Sequence, residues 1–215
     1  TWDVITRGIP KFVNVFYLDL TQVNADGTKL VNQISKFRST QGHDFSDSFE
    51  ACSSMKHYMS FPDSSTRIYA PVSGTVVWRD VPIGWDINIQ SDAQPAFTFT
   101  IMHPVLDRAY KIGDRVTEGT LIGHHVGNYT SSDIVVLVND PNAGTKVAGV
   151  GPNGRLISYF ETLTDAAFSV FRARGINSPS DLIISKAMRD ANPTQCVGEN
   201  FAPLWVDPLV GVVKF

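Results

Sequence analysis

The chain has 215 residues, of which 43% are hydrophobic and 18% are charged, and its formal net charge at pH 7 is −3. This composition excludes a mainly disordered chain, and the small negative charge argues against a nucleic acid or an anionic membrane as the main partner. No apolar run reaches the roughly 18 residues that a transmembrane helix needs, so we predict no membrane span.

The N-terminal region predicts two strands. Residues 11–20 (KFVNVFYLDL) are rich in Phe, Val and Tyr, which favour strands, and residues 29–37 (KLVNQISKF) form a second such segment. The turn-forming sequence NADG at 24–27 lies between them. We therefore predict an N-terminal hairpin, within a unit at 1–38 that packs on the rest of the chain.

The middle of the chain predicts a compact β structure. Between Arg67 and Val138, short segments typical of strands alternate with turns, as in β barrels and sandwiches. We assign this core to residues 39–138, with a polar insertion at about 46–64. The predicted fold class is therefore mainly β with some α structure.

The C-terminal part, residues 139–215, predicts an appendage of two helices. Hydrophobic residues recur at helical spacing in the first helix, at Ile157, Phe160, Leu163, Ala167, Phe168 and Phe171. Gly175 ends this helix, and the second is predicted to start after Ser178 or Ser180 and to end near Asn192. We interpret the aromatic stripe as core packing and the three parts of the chain as one globular unit.

Two short segments carry candidate zinc ligands. The sequence GHDFSD at 42–47 offers His43, Asp44 and Asp47, and the predicted strand FTFTIMH ends at His103. Imidazole and carboxylate groups are among the ligands that zinc uses in proteins. The competing interpretation is that the two aspartates cap a turn and that His103 is a polar strand end.

The other histidines have structural interpretations. His124 and His125 are adjacent in a predicted strand, so their rings point to opposite faces and only one could enter a given site. His57 lies in the polar insertion, where nothing converges on it in sequence. A surface role is therefore the default expectation for His57.

The chain contains two cysteines, Cys52 and Cys196, which are 144 positions apart. They could form one disulfide that closes a long loop, or they could remain two thiols. A disulfide between them would fit a periplasmic or secreted protein, because such bonds persist in oxidising compartments.

Two turn-rich segments resemble one known family. The segment IYAPVSGTVV at 68–77 and the hairpin KIGDRVTEGTLIGHHVG at 111–127 are similar to a turn and a hairpin of the lysostaphin-like zinc metalloendopeptidases. Enzymes of that family cut peptidoglycan cross-bridges. The resemblance implies a barrel-sandwich hybrid core, and it extends over about residues 40–138.

The resemblance assigns the zinc and catalytic positions of the family to particular residues. The first family motif, His-x-Gly-x-Asp, aligns on its glycine, so the aspartate ligand is Asp44 and the histidine ligand falls on Thr40. The lone catalytic histidine of the family matches His103. The last motif, His-x-His, falls on Asp133, which the resemblance makes a second catalytic candidate, and on Val135. Two of the three expected protein ligands are therefore missing, because a valine cannot bind a metal and a neutral threonine gives zinc no anchor.

An alternative register keeps part of a metal site. His43 and Asp47 also have the spacing His-x-x-x-Asp, and His103, His124 or Asp133 could complete a rearranged zinc centre. Such a centre would need its own layer of orienting hydrogen bonds as well. We therefore favour the interpretation in which the zinc site is eroded.

These features favour a non-catalytic relative of the family. We expect a periplasmic or secreted module, without a cofactor, that binds or scaffolds a cell-wall peptide or glycan. Its groove would hold Asp44, His103 and Asp133 beside the aromatic residues Trp78 and Trp85. One alternative is an active zinc peptidase, in which metal-bound water attacks the peptide and His103 assists. Another is that the C-terminal helices present a partner surface. The sequence leaves the oligomeric state open.

Overall fold

The computed structural model describes residues 1–59, 66–77, 86–125, 131–144 and 154–215. Short strands dominate these ranges, together with short α-helices and one 3-10 helix at Pro179–Leu182. In chain order the other elements are α1 (Val4–Arg7), β1 (Gln33–Ser35), β2 (His57–Met59), β3 (Thr66–Tyr69), β4 (Gly74–Val76), β5 (Asp86–Ser91), β6 (Phe97–Met102), β7 (Val105–Leu106), β8 (Arg115–Val116), β9 (Leu121–His125), β10 (Ser132–Val138), β11 (Arg155–Ile157), α2 (Tyr159–Thr162), α3 (Asp165–Arg172), α4 (Lys186–Ala191), β12 (Cys196–Val197), β13 (Asn200–Phe201) and β14 (Val212–Lys214).

Most strands join one large antiparallel sheet. Its order is β14-β1-β2-β10-β6-β5-β4-β8, and β11 pairs with the end of β10. A second sheet has the order β3-β9-β7, and β12 pairs with β13 in a separate hairpin. The mainly β fold class predicted from the sequence is therefore confirmed.

Strand β10 lies at the centre of the large sheet, between β2 and β6. Its sequence SDIVVLV is rich in β-branched residues, which favour strands. Alternate side chains point to opposite faces, so Ile134 and Val136 enter the main core whereas Val135 enters a second apolar cluster. Because both faces of β10 are buried, its residues 134–138 form a continuous apolar run rather than an alternating one.

Two apolar clusters lie on opposite faces of β10. The main core combines side chains of both sheets, such as Ile101 and Ile122, with the helical residues Phe160, Phe168 and Phe171. The aromatic stripe at helical spacing is thus core packing. The second cluster is smaller and consists of Phe37, Phe45, Met55, Met102, Val135 and Leu156.

The N-terminal region differs from the predicted hairpin. A turn is present at residues 23–29, where Val23 and Lys29 form a bridge. The flanking segments pair elsewhere: Val13 with Leu163, Leu18 with Ile68, and β1 with β14 and β2. An isolated two-stranded hairpin is marginal in water. Burial of Phe16 and Tyr17 in the main core favours the long-range partners instead.

The two predicted helices are each interrupted. Leu163 separates α2 from α3, because its extended backbone bridges to Val13. The second predicted helix is a 3-10 helix followed by α4, and between them Ile183 bridges to Phe37. Strand-like pairing with the N-terminal region therefore outweighs helical periodicity at both points. The predicted end near Asn192 is confirmed.

His57 is a buried core residue, and the predicted surface role is wrong. Strand alternation places it beside Met59 on the inner face of β2. Because a carbonyl only accepts, Nδ1–H of His57 donates to Ser35 O at 2.8 Å, and Nε2 accepts from the Ser158 hydroxyl at 2.7 Å. The ring packs edge-on against Phe160, with 4.7 Å between ring centroids. Burial lowers the pKa of His57 to about 4.

The disulfide between Cys52 and Cys196 is present, which confirms the paired interpretation of the two cysteines. It joins the segment before β2 to the β12–β13 hairpin. The Asp44 N–H donates to Glu199 O at 2.9 Å, and the Thr194 hydroxyl donates to Cys52 O. The crosslink and these hydrogen bonds therefore fasten the C-terminal hairpin to the same region of the chain.

Within the described part of the chain, no helix combines the length and the apolar character required to cross a bilayer.

The contribution of His57 to the stability of the protein should fall as the pH is lowered from about 6.5 towards 4. The unfolded chain protonates His57 near pH 6.5, whereas the folded chain holds its pKa at about 4, so the unfolded state binds the proton first. The expected loss of unfolding free energy from this residue is about 3 kcal/mol. Urea unfolding across this pH range measures the loss. The difference in unfolding free energy between the wild type and His57→Gln should change by that amount across this range, and a difference that does not vary with pH would contradict the assignment.

Removal of the disulfide by the paired substitutions Cys52→Ser and Cys196→Ser should lower the unfolding free energy by about 2–5 kcal/mol. The reason is the long loop that the bond closes, since the cysteines are 144 positions apart. Urea unfolding with and without reductant provides the measurement. The reduced wild-type protein serves as the matched control and should unfold like the variant. Identical midpoints for the oxidised protein and the variant would refute the contribution of this bond.

Candidate functional site

A groove crosses the face of the large sheet that is opposite to the main core. Gln33 and Ser35 of β1, Tyr58 of β2 and Asp133 of β10 point into it, while Ile34 between the first two points into the main core. The cavity volume is about 280 Å³. This is near the lower end of the volumes typical of small-molecule pockets.

Loop residues 41–43, His103 and Val212 of β14 also line this groove. Gly42 has a φ of 77°, in the left-handed region that favours glycine, and a side chain there would collide with the Tyr58 hydroxyl. His103 has a φ of 56°, which is uncommon for a residue other than glycine. Residue 42 therefore controls how close the loop lies to the floor of the groove.

A buried ion pair lies at the floor of the groove. The Lys56 ammonium donates to Asp133 Oδ2 at 2.6 Å, and the two side chains are only 3% and 1% exposed. The ammonium also lies 4.8 Å from the ring centroid of Phe45 and 4.9 Å from that of Tyr58. Burial alone lowers the pKa of Lys56, but the charge of Asp133 outweighs it and the net shift is upward. Lys56 therefore remains a fixed cation across the physiological range.

Asp86 is a second acidic group beside this pair. It begins β5 and lies opposite Met102 in the ladder between β5 and β6. Burial raises the pKa of Asp86 to about 6, the charges of His103 and Lys56 oppose this shift, and the charge of Asp133 adds to it. Asp86 is therefore a group near the groove that changes charge close to neutral pH.

The two positions that the resemblance leaves without a metal ligand have other contacts. The Thr40 hydroxyl donates to Asp207 Oδ2 at 3.0 Å, and the same carboxylate accepts from Arg189 at 2.8 Å. Val135 packs in the second apolar cluster. The Asp44 carboxylate accepts from the Ser46 hydroxyl at 2.7 Å and contributes to the local loop.

The alternative register does not assemble a ligand set either. The Asp47 carboxylate accepts hydrogen bonds from the backbone N–H groups of Phe49, Glu50 and Leu156, at 2.7 to 3.1 Å. It therefore links its own loop to the backbone at Leu156. Nδ1–H of His43 donates to the adjacent backbone carbonyl at 2.9 Å, and the ring lines the groove. The structure therefore places His43 at the groove but commits Asp47 elsewhere.

Neither arrangement of residues fits zinc. In the described part of the chain, no group of three or more His, Cys, Asp or Glu side chains is placed to hold a metal ion. Asp133 is committed to the Lys56 ammonium, and a divalent cation beside that ammonium would be repelled. Trp78 and Trp85, which were expected beside the groove, lie outside the described residues.

Of the predicted site residues, His43, His103 and Asp133 line the groove and Asp44 is not among its lining residues, whereas Lys56 and Tyr58 line it without having been predicted. One signal could have identified the missed pair. Lys56 and Tyr58 are two positions apart in the segment MKHYM at 55–59, so in an extended chain their side chains lie on the same face. A lysine in such an apolar strand sequence indicates a buried partner of opposite charge.

Three solved structures are similar to parts of this chain at low sequence identity. The M23 metalloprotease pseudoalterin from the deep sea is 14% identical, over 59% of this chain and 75% of its own, with a TM-score of 0.34. A mutant catalytic domain of the prophage-encoded M23 protein EnpA from Enterococcus faecalis is 16% identical, over 70% and 93% respectively, with a TM-score of 0.37. Lysostaphin is 15% identical, over 58% of this chain and 43% of lysostaphin, with a TM-score of 0.30.

No family model and no curated protein matches the chain. The chain spans less than half of the length of lysostaphin itself. Because the identities are low and the TM-scores are below 0.5, we transfer no residue role from these structures.

The ion pair should show strong coupling in a double-mutant cycle. Asp133→Leu or Lys56→Met alone should cost about 3–5 kcal/mol of unfolding free energy, because each leaves a buried charged group without its partner. The double variant Lys56→Met, Asp133→Leu should cost far less than the sum of the two. Urea unfolding of the four proteins measures the coupling. Purely additive losses would show that the two side chains do not interact.

Proposed function

We propose that the protein is an extracytoplasmic binding module that holds a cell-wall peptide or glycan in the groove and does not cut it. The observation that carries this proposal is the ion pair between Lys56 and Asp133. This pair holds the Lys56 ammonium against the Asp133 carboxylate. In the resemblance, Asp133 takes a catalytic position of the family. A resident cation at that point disfavours a second one, so the chemistry of metal-bound water has no support there.

The remaining groove side chains suit hydrogen bonding to an uncharged ligand. The two full charges at the floor neutralise each other, and both are almost fully buried. Around them lie the Gln41 side chain, the His43 ring and the Tyr58 ring. Amides, imidazoles and phenols donate and accept hydrogen bonds, and aromatic faces bind the apolar sides of peptides and sugars. A few polar groups in a concave site are typical of specific ligand recognition.

The proposed location and ligand class depend on separate arguments. The disulfide between Cys52 and Cys196 supports export, since such bonds are maintained in oxidising compartments. The ligand class comes from the hairpin motifs at 68–77 and 111–127, which resemble those of enzymes that act on peptidoglycan cross-bridges. A cell-wall fragment is therefore the first ligand to test.

We expect soluble peptidoglycan fragments to bind to the purified protein, to remain uncleaved, and to bind equally well after treatment with a chelator. Calorimetric titration measures binding, mass spectrometry measures cleavage, and elemental analysis measures zinc. Gly42→Ala should weaken binding by about tenfold or more, because the added methyl group collides with Tyr58 at the groove.

Gly27→Ala is the matched control for this variant. Gly27 also has a positive φ, of 84°, but a methyl group there meets nothing within 4 Å. It should therefore bear the same backbone strain and bind as the wild type does. Near-stoichiometric zinc together with chelator-sensitive cleavage would overturn the non-catalytic proposal. Absence of binding by every fragment would overturn the binding role.

A further inference from the structure

Strand β14 forms one end of the large sheet. It pairs with β1 through Val212–Ser35, Val213–Ile34 and Lys214–Gln33, and hydrogen bonds continue this ladder at Lys36 N–H to Gly211 O and Phe215 N–H to Asn32 O. In an antiparallel ladder the backbone groups of alternate residues face the partner strand. This register turns the N–H and C=O groups of Val213 towards β1 and those of Val212 and Lys214 outwards.

The outward backbone groups of β14 are available for pairing. Among the described residues, neither the Val212 N–H nor the Lys214 N–H donates to a backbone or side-chain acceptor. Val212 is half-buried, Lys214 is exposed, and Val210, just before the strand, is 71% exposed. A row of unpaired backbone groups of this kind is a template for another extended chain.

This open edge is continuous with the groove. The side chain of Val212 lines the groove, and its partner Ser35 on β1 lies on the groove floor. An extended segment added beside β14 would alternate its side chains between the two faces of the sheet. Every second side chain of that segment would therefore point to the face that carries the groove, next to Val212.

We infer that the ligand of the groove is an extended peptide, which adds to the outer edge of β14 as a further strand. This inference rests on the proposed function, since it concerns the same groove, and it selects peptide over glycan. The backbone of the peptide pairs with the outward N–H and C=O groups of Val212 and Lys214, as in other peptides recognised by strand addition. Its side chains on the groove face are not cationic, because the exposed Lys214, which has the same strand parity as Val212, repels positive charge.

The probe for this inference is a synthetic pentapeptide of alanine, acetylated at its N-terminus and amidated at its C-terminus. Calorimetric titration measures its affinity, and amide NMR shifts locate it. We expect shifts at Val212 and Lys214. A matched pentapeptide is methylated at the alternate amide nitrogens that would face β14. Its affinity should be lower by at least about tenfold, because it cannot donate the strand hydrogen bonds.

Two protein variants test the same contact from the other side. Val212→Pro removes one outward N–H and leaves the inward ladder to β1 intact, so it should weaken binding of the unmethylated probe by about tenfold. Val212→Ala keeps that N–H and is the matched control. It should reduce the affinity for the unmethylated probe by less than Val212→Pro does. If Val212→Pro fails to fold, the pair of peptides on the wild-type protein still decides the question.

The outcomes separate this inference from the proposed function. Probe binding that is lost in Gly42→Ala but is insensitive to amide methylation would keep the binding module and overturn strand addition. If probe binding is sensitive to amide methylation but unchanged in Gly42→Ala, strand addition is supported and the groove is overturned as its site. Binding of glycan fragments without binding of the probe would overturn the peptide ligand. Concentration-dependent dimerisation lost in Val212→Pro would show that a second copy pairs with the edge instead, which also overturns the inference.

Discussion

The groove is built around the buried carboxylate of Asp133, which needs a neighbouring positive charge. Strand β10 is buried on both faces, and Asp133 is the one charged residue in its sequence. A carboxylate in that position would cost several kcal/mol if it were left without a partner. Lys56 supplies the charge from the segment before β2, and Tyr58 pairs with Asp133 across the ladder between β2 and β10. The register of these strands and the ion pair therefore fix each other.

The large sheet separates two regions of different character. On one face the core is continuous and includes both sheets and the helical aromatics. On the other face a small apolar cluster around Phe45 and Val135 borders the ion pair and the polar groove. The positions that lack metal ligands are not vacancies in this arrangement. Thr40 belongs to a hydrogen-bonded network with Asp207 and Arg189, and Val135 completes the apolar cluster.

Local patterns in the sequence were sufficient for the class of fold and for the buried aromatic stripe. Strand propensity and turn residues between 67 and 138 predict the β structure, and helical spacing places Phe160, Phe168 and Phe171 in the core. The partners of the N-terminal strands were not predictable in this way. Val13 and Leu163 are 150 positions apart, and no local pattern specifies such a pairing. The interruptions of both predicted helices have the same cause.

The candidate site was predictable only in part for a related reason. His43, His103 and Asp133 were identified by residue type and by resemblance, but their partners are set by tertiary contacts. The ion pair joins residues 77 positions apart, and Asp86 acquires its unusual pKa from burial rather than from a sequence motif. The surface prediction for His57 is wrong because the strand that buries it has only three residues and is defined by long-range pairing with β1 and β10.

The covalent link between Cys52 and Cys196 has a consequence for handling the protein. A single proteolytic nick anywhere between these cysteines produces two fragments that remain one molecule until the sulfur–sulfur bond is reduced. Electrophoresis without a thiol would report such nicked material as full-length. An intact band under those conditions is therefore no proof of an unbroken backbone.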